Sequence, residues 1–440
     1  MHTSTAFLTD HYELTMVDAA LRSGTAHRRS VFELFARRLS GARRYGVVAG
    51  TGRLLEAIGR FRFGDAELEF LRERAIVADR TLDWLADFRF SGEIWGYPEG
   101  EVFFPGSPLV IVESSFAEGV LLETLALSIL NADSAVATAA SRMAHAAGGK
   151  PLAEMGSRRT GEYSAVAAAR AAYVAGFSAT SNLEAGRSYG IPTMGTAAHS
   201  FTLLHDSERE AFEAQVAALG TDTTLLVDTY DIEQGVRTAV EVAGTDLGAV
   251  RIDSGDLPVV VARVRQLLDE LGATRTRITV TNDLDEHTVA ALASSPVDSF
   301  GVGTSVVTGS GTPTMGMVYK LVAHENDEGE WVSVAKKSAD KASVGGRKSV
   351  RRAFNRRGIA TAELLFLGDG PGGEPEGSEL AASSREVLVP LVEAGEVRAE
   401  HIGSAGIAAA RERHRACVAE LPPVAMSLTR GDPAIPTEYR

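Results

Sequence analysis

Between residues 150 and 305, short apolar runs alternate with helical segments, and this rhythm constrains the fold more than any single motif. The runs are PLAEM (151–155), GFSAT (176–180), IPTMG (191–195), TTLLVD (223–228), GAVRID (248–253), RITVTN (277–282) and DSFGVG (298–303). Helical segments lie between them, among them EYSAVAAARAAYVAG (162–176), IEQGVRTAVEVAG (232–244) and LPVVVARVRQLLDELG (257–272). Short strands joined through helices by brief connections imply a parallel sheet with helices outside it. Seven such strands are about the number that closes into a barrel. The expected fold is α/β: an irregular (β/α) barrel of about seven parallel strands over residues 119–316.

The flanks read differently. Residues 1–118 mix helices such as ELTMVDAALRS, stopped by Gly24, with strands such as RRSVFELFAR and the proline-cut stretch 92–114, which reads as short antiparallel strands. Two strands around an NDEGE turn follow the barrel, so residues 317–385 are expected to join the N-terminal segment in a mixed α+β domain. Residues 386–440 read as a C-terminal helical segment.

The formal net charge is −14, which argues against non-specific binding to nucleic acid or anionic membrane. Cys417 is the only cysteine, excluding an internal disulfide and a cysteine-based zinc site. The sequence shows no signal-peptide pattern at MHTSTAFLTDHYELTM and reads as free of a membrane-length apolar run, so a cytoplasmic location is expected.

In a parallel barrel the carboxyl ends of the strands share one rim, and active sites sit there. The tips here carry Arg158, Ser181, His199, Asp228, Asp253, Asn282 and the turn GVGTS (301–305). Solvated strand ends would show a mixture of Lys, Glu, Ser and Thr; this set is chemically narrower and points to a site. Gly301 and Gly303 allow backbone N–H groups close to an anion, and Thr304 adds a hydroxyl. Alternation along RIDSGD puts Arg251 and Asp253 on one face, either as a plain ion pair or as separate contacts to a charged ligand and to sugar hydroxyls or a metal. Carboxylates beside an expected phosphate favour Mg²⁺, through Asp228 and Asp253. GTAAHSFT (195–202) leaves His199 open between a packed imidazole and a chemical one. The basic run 336–352, including Lys341 and Lys348, reads equally as a solvated loop or as a lid over a polyphosphate.

The blocks LTDHYELTM, EMGSRRTGEYSA, ATSNLEAGRSYGIPTMGTAAHSF, RIDSGDL and FGVGTSVVTG together resemble the nicotinate phosphoribosyltransferases of the actinobacterial type, in the family's order and over residues 8 to about 350. The resemblance implies transfer of a phosphoribosyl group from 5-phosphoribosyl 1-diphosphate to nicotinate, the first step of NAD salvage from nicotinate, coupled to ATP hydrolysis through a phosphohistidine at His199. It implies Asp253 on the ribose hydroxyls and Asp228 on the positive charge or the metal. It places the 5-phosphate at Gly301, Gly303 and Thr304 with Asn282 nearby, and nicotinate against Arg158, Arg251 and Ser181. It further implies a homodimer with shared sites, in which Tyr12 of a neighbouring subunit stacks on the pyridine and Arg38, Lys341 and Lys348 reach the diphosphate or ATP. The amide-using relatives carry aspartate where Ser181 stands, which favours the acid substrate here. The chain departs from the family at Met155, where an aromatic is common, and at Gly345, where a proline is common. Quinolinate and nicotinamide phosphoribosyltransferases are the alternatives on the same scaffold. An aldolase would want a lysine at a strand tip, and none carries one.

Overall fold

The computed structural model describes residues 4–336, 344–373 and 383–440. Along the chain come β1 (Arg29–Ala36), β2 (Gly46–Val47), β3 (Glu93–Gly96), β4 (Val102–Phe103) and β5 (Pro108–Ser115). Then follow β6 (Leu152–Glu154), β7 (Ala179–Thr180), β8 (Thr224–Leu226), β9 (Ala249–Ile252), β10 (Arg277–Val280) and β11 (Ser299–Val302). The last group is β12 (Met317–Glu325), β13 (Trp331–Ser333), β14 (Lys348–Phe354), β15 (Ala360–Leu367), β16 (Ser384–Glu386), β17 (Val389–Glu393), β18 (Glu396–Val397) and β19 (Thr437–Tyr439).

The chain forms two compact units: Met1–Thr138 with Thr312–Arg440, and Ala139–Gly311. The division falls inside the long helix Glu123–Ala146. The helical run Phe116–Ala146 is long and apolar enough to cross a membrane, contrary to the reading of the sequence, but 61% of its most apolar window is buried, as in a core helix.

In the first unit, a seven-stranded sheet runs β13-β12-β1-β5-β3-β17-β18 with antiparallel neighbours throughout. Its core gathers Phe32, Phe61, Phe88, Val112, Tyr319 and Leu391. Burying each such side chain contributes about 1.5–3 kcal/mol. A four-stranded sheet, β16-β14-β15-β19, lies in the same unit. The C-terminal stretch is therefore only partly helical: besides the helix Gly403–Ala419 it supplies β17, β18 and β19.

The basic run does not form a free cationic lid where it is described. Lys348 begins β14, is 1% exposed, and donates to both oxygens of Glu33 at 2.9 Å and to the carbonyls of Val344 and Gly346. Arg352 sits fully buried between Glu101 and Glu363 at 2.5 and 2.6 Å. Arg347 pairs with Glu113 and Arg351 with Glu386. Alternation along β14 explains the burial: the residues expected to reach solvent include those facing the unit's interior. Lys341 lies outside the described residues. Glu101, Cys417 and Glu420 also converge here, but Arg352 and Arg385 hold the two carboxylates, so the cluster is an ion-pair network.

In the second unit, six strands run β7-β6-β11-β10-β9-β8, every ladder parallel. The strands are short, and alternate residues along them are apolar and buried, with Val250, Ile252, Val280, Phe300 and Val302 at 0–1% exposure, while Arg251 in β9 and Thr279 in β10 interrupt the apolar runs. The segment 191–195, expected as a seventh strand, contributes a single parallel bridge from Thr193 to Thr180. Helices follow the tips, and three are capped by polar residues just past those tips: Asn182, Asp231 and Asp285 each accept a backbone N–H.

Candidate active site

The parallel arrangement puts the carboxyl ends of β6 to β11 on one side of the second unit, and a cavity of about 530 Å³ opens there. That is the size of an ordinary small-ligand pocket. Its lining includes Arg158, Ser181, His199, Arg251, Asp253, Asn282, Gly301, Gly303 and Thr304. Nine residues from distant tips named on the sequence thus meet at one cavity, together with Met155, Arg159, Leu226 and the segment 194–198.

His199 opens the short helix His199–Leu204, with its side chain 42% exposed. Its Nδ1 lies 3.1 Å from the hydroxyl of Thr229. Its Nε2 faces two carboxylates, 3.8 Å from Asp228 Oδ1 and 3.9 Å from Asp253 Oδ2. The imidazole is therefore not enclosed in apolar packing.

Asp228 follows β8 and its side chain is fully buried. Its Oδ2 accepts the backbone N–H of Asp253 at 2.8 Å and the hydroxyl of Ser254 at 2.7 Å. Its Oδ1 is buried and has no hydrogen-bond partner. Leaving a buried carboxylate oxygen unpaired costs free energy, so a cationic or donor group from a ligand would be well received there. Asp253 accepts a short hydrogen bond from Thr281 Oγ1, and its other oxygen stands 3.5 Å from Arg251 Nη2. Arg251 is held in turn by Thr281 (3.0 Å), Thr196 (3.1 Å) and the Ala197 carbonyl (3.3 Å). The expected same-face pairing of Arg251 and Asp253 is thus present as a network centred on Thr281.

Arg158 is exposed in the short 3-10 helix Ser157–Arg159 and makes no ion pair among the described residues. Asn282 has φ 90°, a left-handed conformation uncommon outside glycine, and its own Oδ1 accepts the Asp283 N–H. A Cβ on Gly301 would lie 2.7 Å from both Met155 Sδ and Thr281 Cγ2, so the glycine lets Met155 lie across the pocket wall. Tyr12 and Arg38 belong to the first unit, both exposed, and Lys348 is buried there. The Tyr12 phenol is pushed up to about 12, by partial burial first and then by Glu123 and Glu13.

Four contributors escaped the sequence reading. Thr229 and Thr281 look like ordinary strand-end hydroxyls. Glu154 closes an apolar strand. Glu208 has a buried, unpartnered Oε1, and its carboxyl is pushed up to about 7 by burial, then by Asp231 and Asp228. Its signal, an acid one helix turn past His205, is indistinguishable in sequence from a first-turn helix acid.

Two family models match this chain: the nicotinate phosphoribosyltransferase N-terminal domain over residues 7–131, and the nicotinate phosphoribosyltransferase family over 151–358. A Mycobacterium tuberculosis nicotinate phosphoribosyltransferase is 55% identical over 438 residues, covering 98% of this chain and 94% of the relative. A Bacillus subtilis nicotinate phosphoribosyltransferase is 36% identical, covering 79% of this chain and 73% of the relative. Among solved structures, human nicotinic acid phosphoribosyltransferase aligns with a TM-score of 0.80 at 25% identity, covering 98% of this chain and 97% of that one. With both of its units matched and near-complete coverage by close relatives, the chain belongs to the nicotinate phosphoribosyltransferase family of enzymes.

Proposed function

We propose that the chain converts nicotinate, 5-phosphoribosyl 1-diphosphate, ATP and water to nicotinate mononucleotide, diphosphate, ADP and phosphate, with His199 as the transient phosphoryl carrier. The observation that supports this best is the setting of His199: an accessible imidazole, tethered at Nδ1 by Thr229, with Nε2 turned to the carboxylates of Asp228 and Asp253. With Nδ1–H given to Thr229, Nε2 holds a lone pair for the γ-phosphorus of ATP. The N–P bond forms, the bond to the β-phosphate oxygen breaks, and ADP leaves. Water later takes the phosphoryl group from His199 as inorganic phosphate.

In the glycosyl transfer, the bond from ribose C1 to the diphosphate oxygen breaks and the pyridine nitrogen bonds to C1, through a centre with oxocarbenium character. Asp253, steadied by Thr281, would bind the ribose hydroxyls. Asp228 would balance the positive charge. Backbone N–H groups at Gly301 and Gly303, the Thr304 hydroxyl and Asn282 would hold the 5-phosphate. Arg158 and Arg251 would meet the nicotinate carboxylate beside Ser181. Tyr12, supplied by a second copy of the chain, would stack on the pyridine; a homodimer with shared sites follows from that role, as does a contribution of Arg38 to the diphosphate. Lys348 drops out of the phosphate-binding set, because Glu33 already holds it. The six strands and the Thr193 bridge would form the wall of an irregular barrel, and the enzyme would work in the cytoplasm.

Mg²⁺ suits this site: Asp228 Oδ1 is a buried oxygen without a partner, and Asp253 Oδ2 faces the same imidazole. When bound to these carboxylates, it would neutralise charge on the leaving diphosphate and on ATP.

Nicotinate mononucleotide formation, followed with and without ATP, tests the reading. Wild-type enzyme should be stimulated by ATP, and His199→Ala should keep only a slow ATP-independent transfer. Full ATP coupling in His199→Ala would exclude His199 as the carrier.

A further inference from the structure

We propose that Glu154 is a positioning residue whose carboxylate ties the loop carrying Arg158 to the strand tip carrying Ser181, and so fixes the pocket wall that reads the pyridine substituent. This rests on the reading that Arg158 and Ser181 face nicotinate.

Glu154 ends β6, is 0% exposed and makes no ion pair among the described residues. One carboxylate oxygen accepts the Gly156 N–H, at the turn leading into Ser157–Arg159. The other accepts the Thr180 hydroxyl at 2.6 Å, at the end of β7. That same hydroxyl accepts the Asn182 N–H at 3.0 Å, and Asn182 Nδ2 donates to Ser157 Oγ at 3.0 Å. The Ser181 N–H donates to the Glu154 carbonyl at 2.8 Å. The five residues Glu154, Gly156, Ser157, Thr180 and Asn182 therefore form a closed hydrogen-bonded ring between two adjacent strand tips, with Arg158 on one side and Ser181 on the other.

A carboxylate is required here for a geometric reason. Both of its oxygens receive donors, whereas a glutamine would turn an NH₂ group toward one of them. Burial raises the proton affinity of Glu154, and the two donors oppose that rise. A buried, unpaired carboxyl kept on two neutral hydrogen bonds is costly as mere scaffolding. Its effect is to hold two exposed side chains of the cavity in a fixed relation, which substrate orientation demands.

The test is steady-state kinetics on the full-length chain, varying nicotinate at saturating ATP and 5-phosphoribosyl 1-diphosphate, with thermal unfolding as a check on folding. Thr180→Val removes the donor while keeping the shape. It should raise the nicotinate KM about 5- to 100-fold, the range for an unsatisfied buried acceptor, while kcat stays within about threefold. Thr180→Ser, which keeps the hydroxyl, should restore the KM. Glu154→Gln should move KM in the same direction as Thr180→Val; if it fails to fold, Thr180→Val decides. Arg158→Ala serves as the control on the underlying reading. If Arg158→Ala raises the nicotinate KM but folded Thr180→Val lowers only kcat or changes neither constant, the positioning role is overturned and the site assignment stands. If Arg158→Ala leaves the KM unchanged, the site assignment itself fails and takes the positioning role with it.

Discussion

Replacing Asp228 by asparagine separates the two jobs of that side chain. Its Oδ2 braces the β9 tip by accepting from the Asp253 N–H and the Ser254 hydroxyl, and an amide oxygen can do the same. Its Oδ1, unpartnered and 3.8 Å from His199 Nε2, contributes negative charge, which an amide cannot. A unit charge at that separation interacts with a positive centre by about 4 kcal/mol at an effective dielectric of about 20. His199 is 42% exposed, so solvent screening reduces this. The expected loss in kcat is therefore about 10- to 10²-fold. The assay is nicotinate mononucleotide and ADP formation, measured together by chromatography, alongside thermal unfolding. The midpoint should shift by only a few degrees, because the bracing hydrogen bonds persist. Asp228→Asn that turns over within about fivefold of wild type, correctly folded, would refute the electrostatic role assigned to Oδ1.

Lys348→Met should destabilise the fold by about 3–5 kcal/mol, because it strands Glu33 in a buried site, while leaving the KM for 5-phosphoribosyl 1-diphosphate unchanged in the folded fraction; a raised KM with unchanged stability would restore a substrate-binding role. Glu13 is fully buried with one unpartnered oxygen, and burial pushes its carboxyl up to about 7 from an ordinary 4.5. The folded state then binds more protons than the unfolded state across that window, so the contribution of Glu13 to stability should fall between pH 4.5 and 7 by about 3 kcal/mol and level off above it. Glu13→Gln should flatten this slope in urea unfolding series at pH 5 and pH 8; an identical slope in both proteins would contradict the assignment. Ser181→Asp should shift preference from nicotinate toward nicotinamide, because a carboxylate repels the acid and accepts the amide N–H; an unchanged ratio of kcat/KM values would count against a selective role for Ser181.

Periodicity made the second unit legible. Short apolar runs with polar ends left little freedom in where Asp228 and Asp253 would emerge, and His199 Nε2 faces both carboxylates. The exception was IPTMG, whose Pro192 removes a ladder donor and whose contribution shrinks to the Thr193 bridge. Residues whose role depends on a distant partner were not legible. Lys348 sits in a run that reads as a cationic loop, and its partner Glu33 lies 315 positions away. Glu154 looks like a polar end of an apolar strand until Thr180 is seen opposite it. Asp231, three residues past Asp228 in the same polar stretch, is a helix cap: its Oδ1 accepts the Gln234 N–H. Spacing shows that an acid is near a strand tip; it does not show whether that acid faces the helix behind it or the cavity in front.

The role of His199 is tested most directly by incubating the enzyme with γ-labelled ATP, quenching in base, which preserves phosphoimidazole, and mapping the label by mass spectrometry of the peptides. A carrier at His199 predicts an acid-labile phosphoryl group on that residue, formed with ATP alone and discharged when nicotinate and 5-phosphoribosyl 1-diphosphate are added. Label on another residue, or ATP-coupled turnover with His199 never phosphorylated, would contradict it.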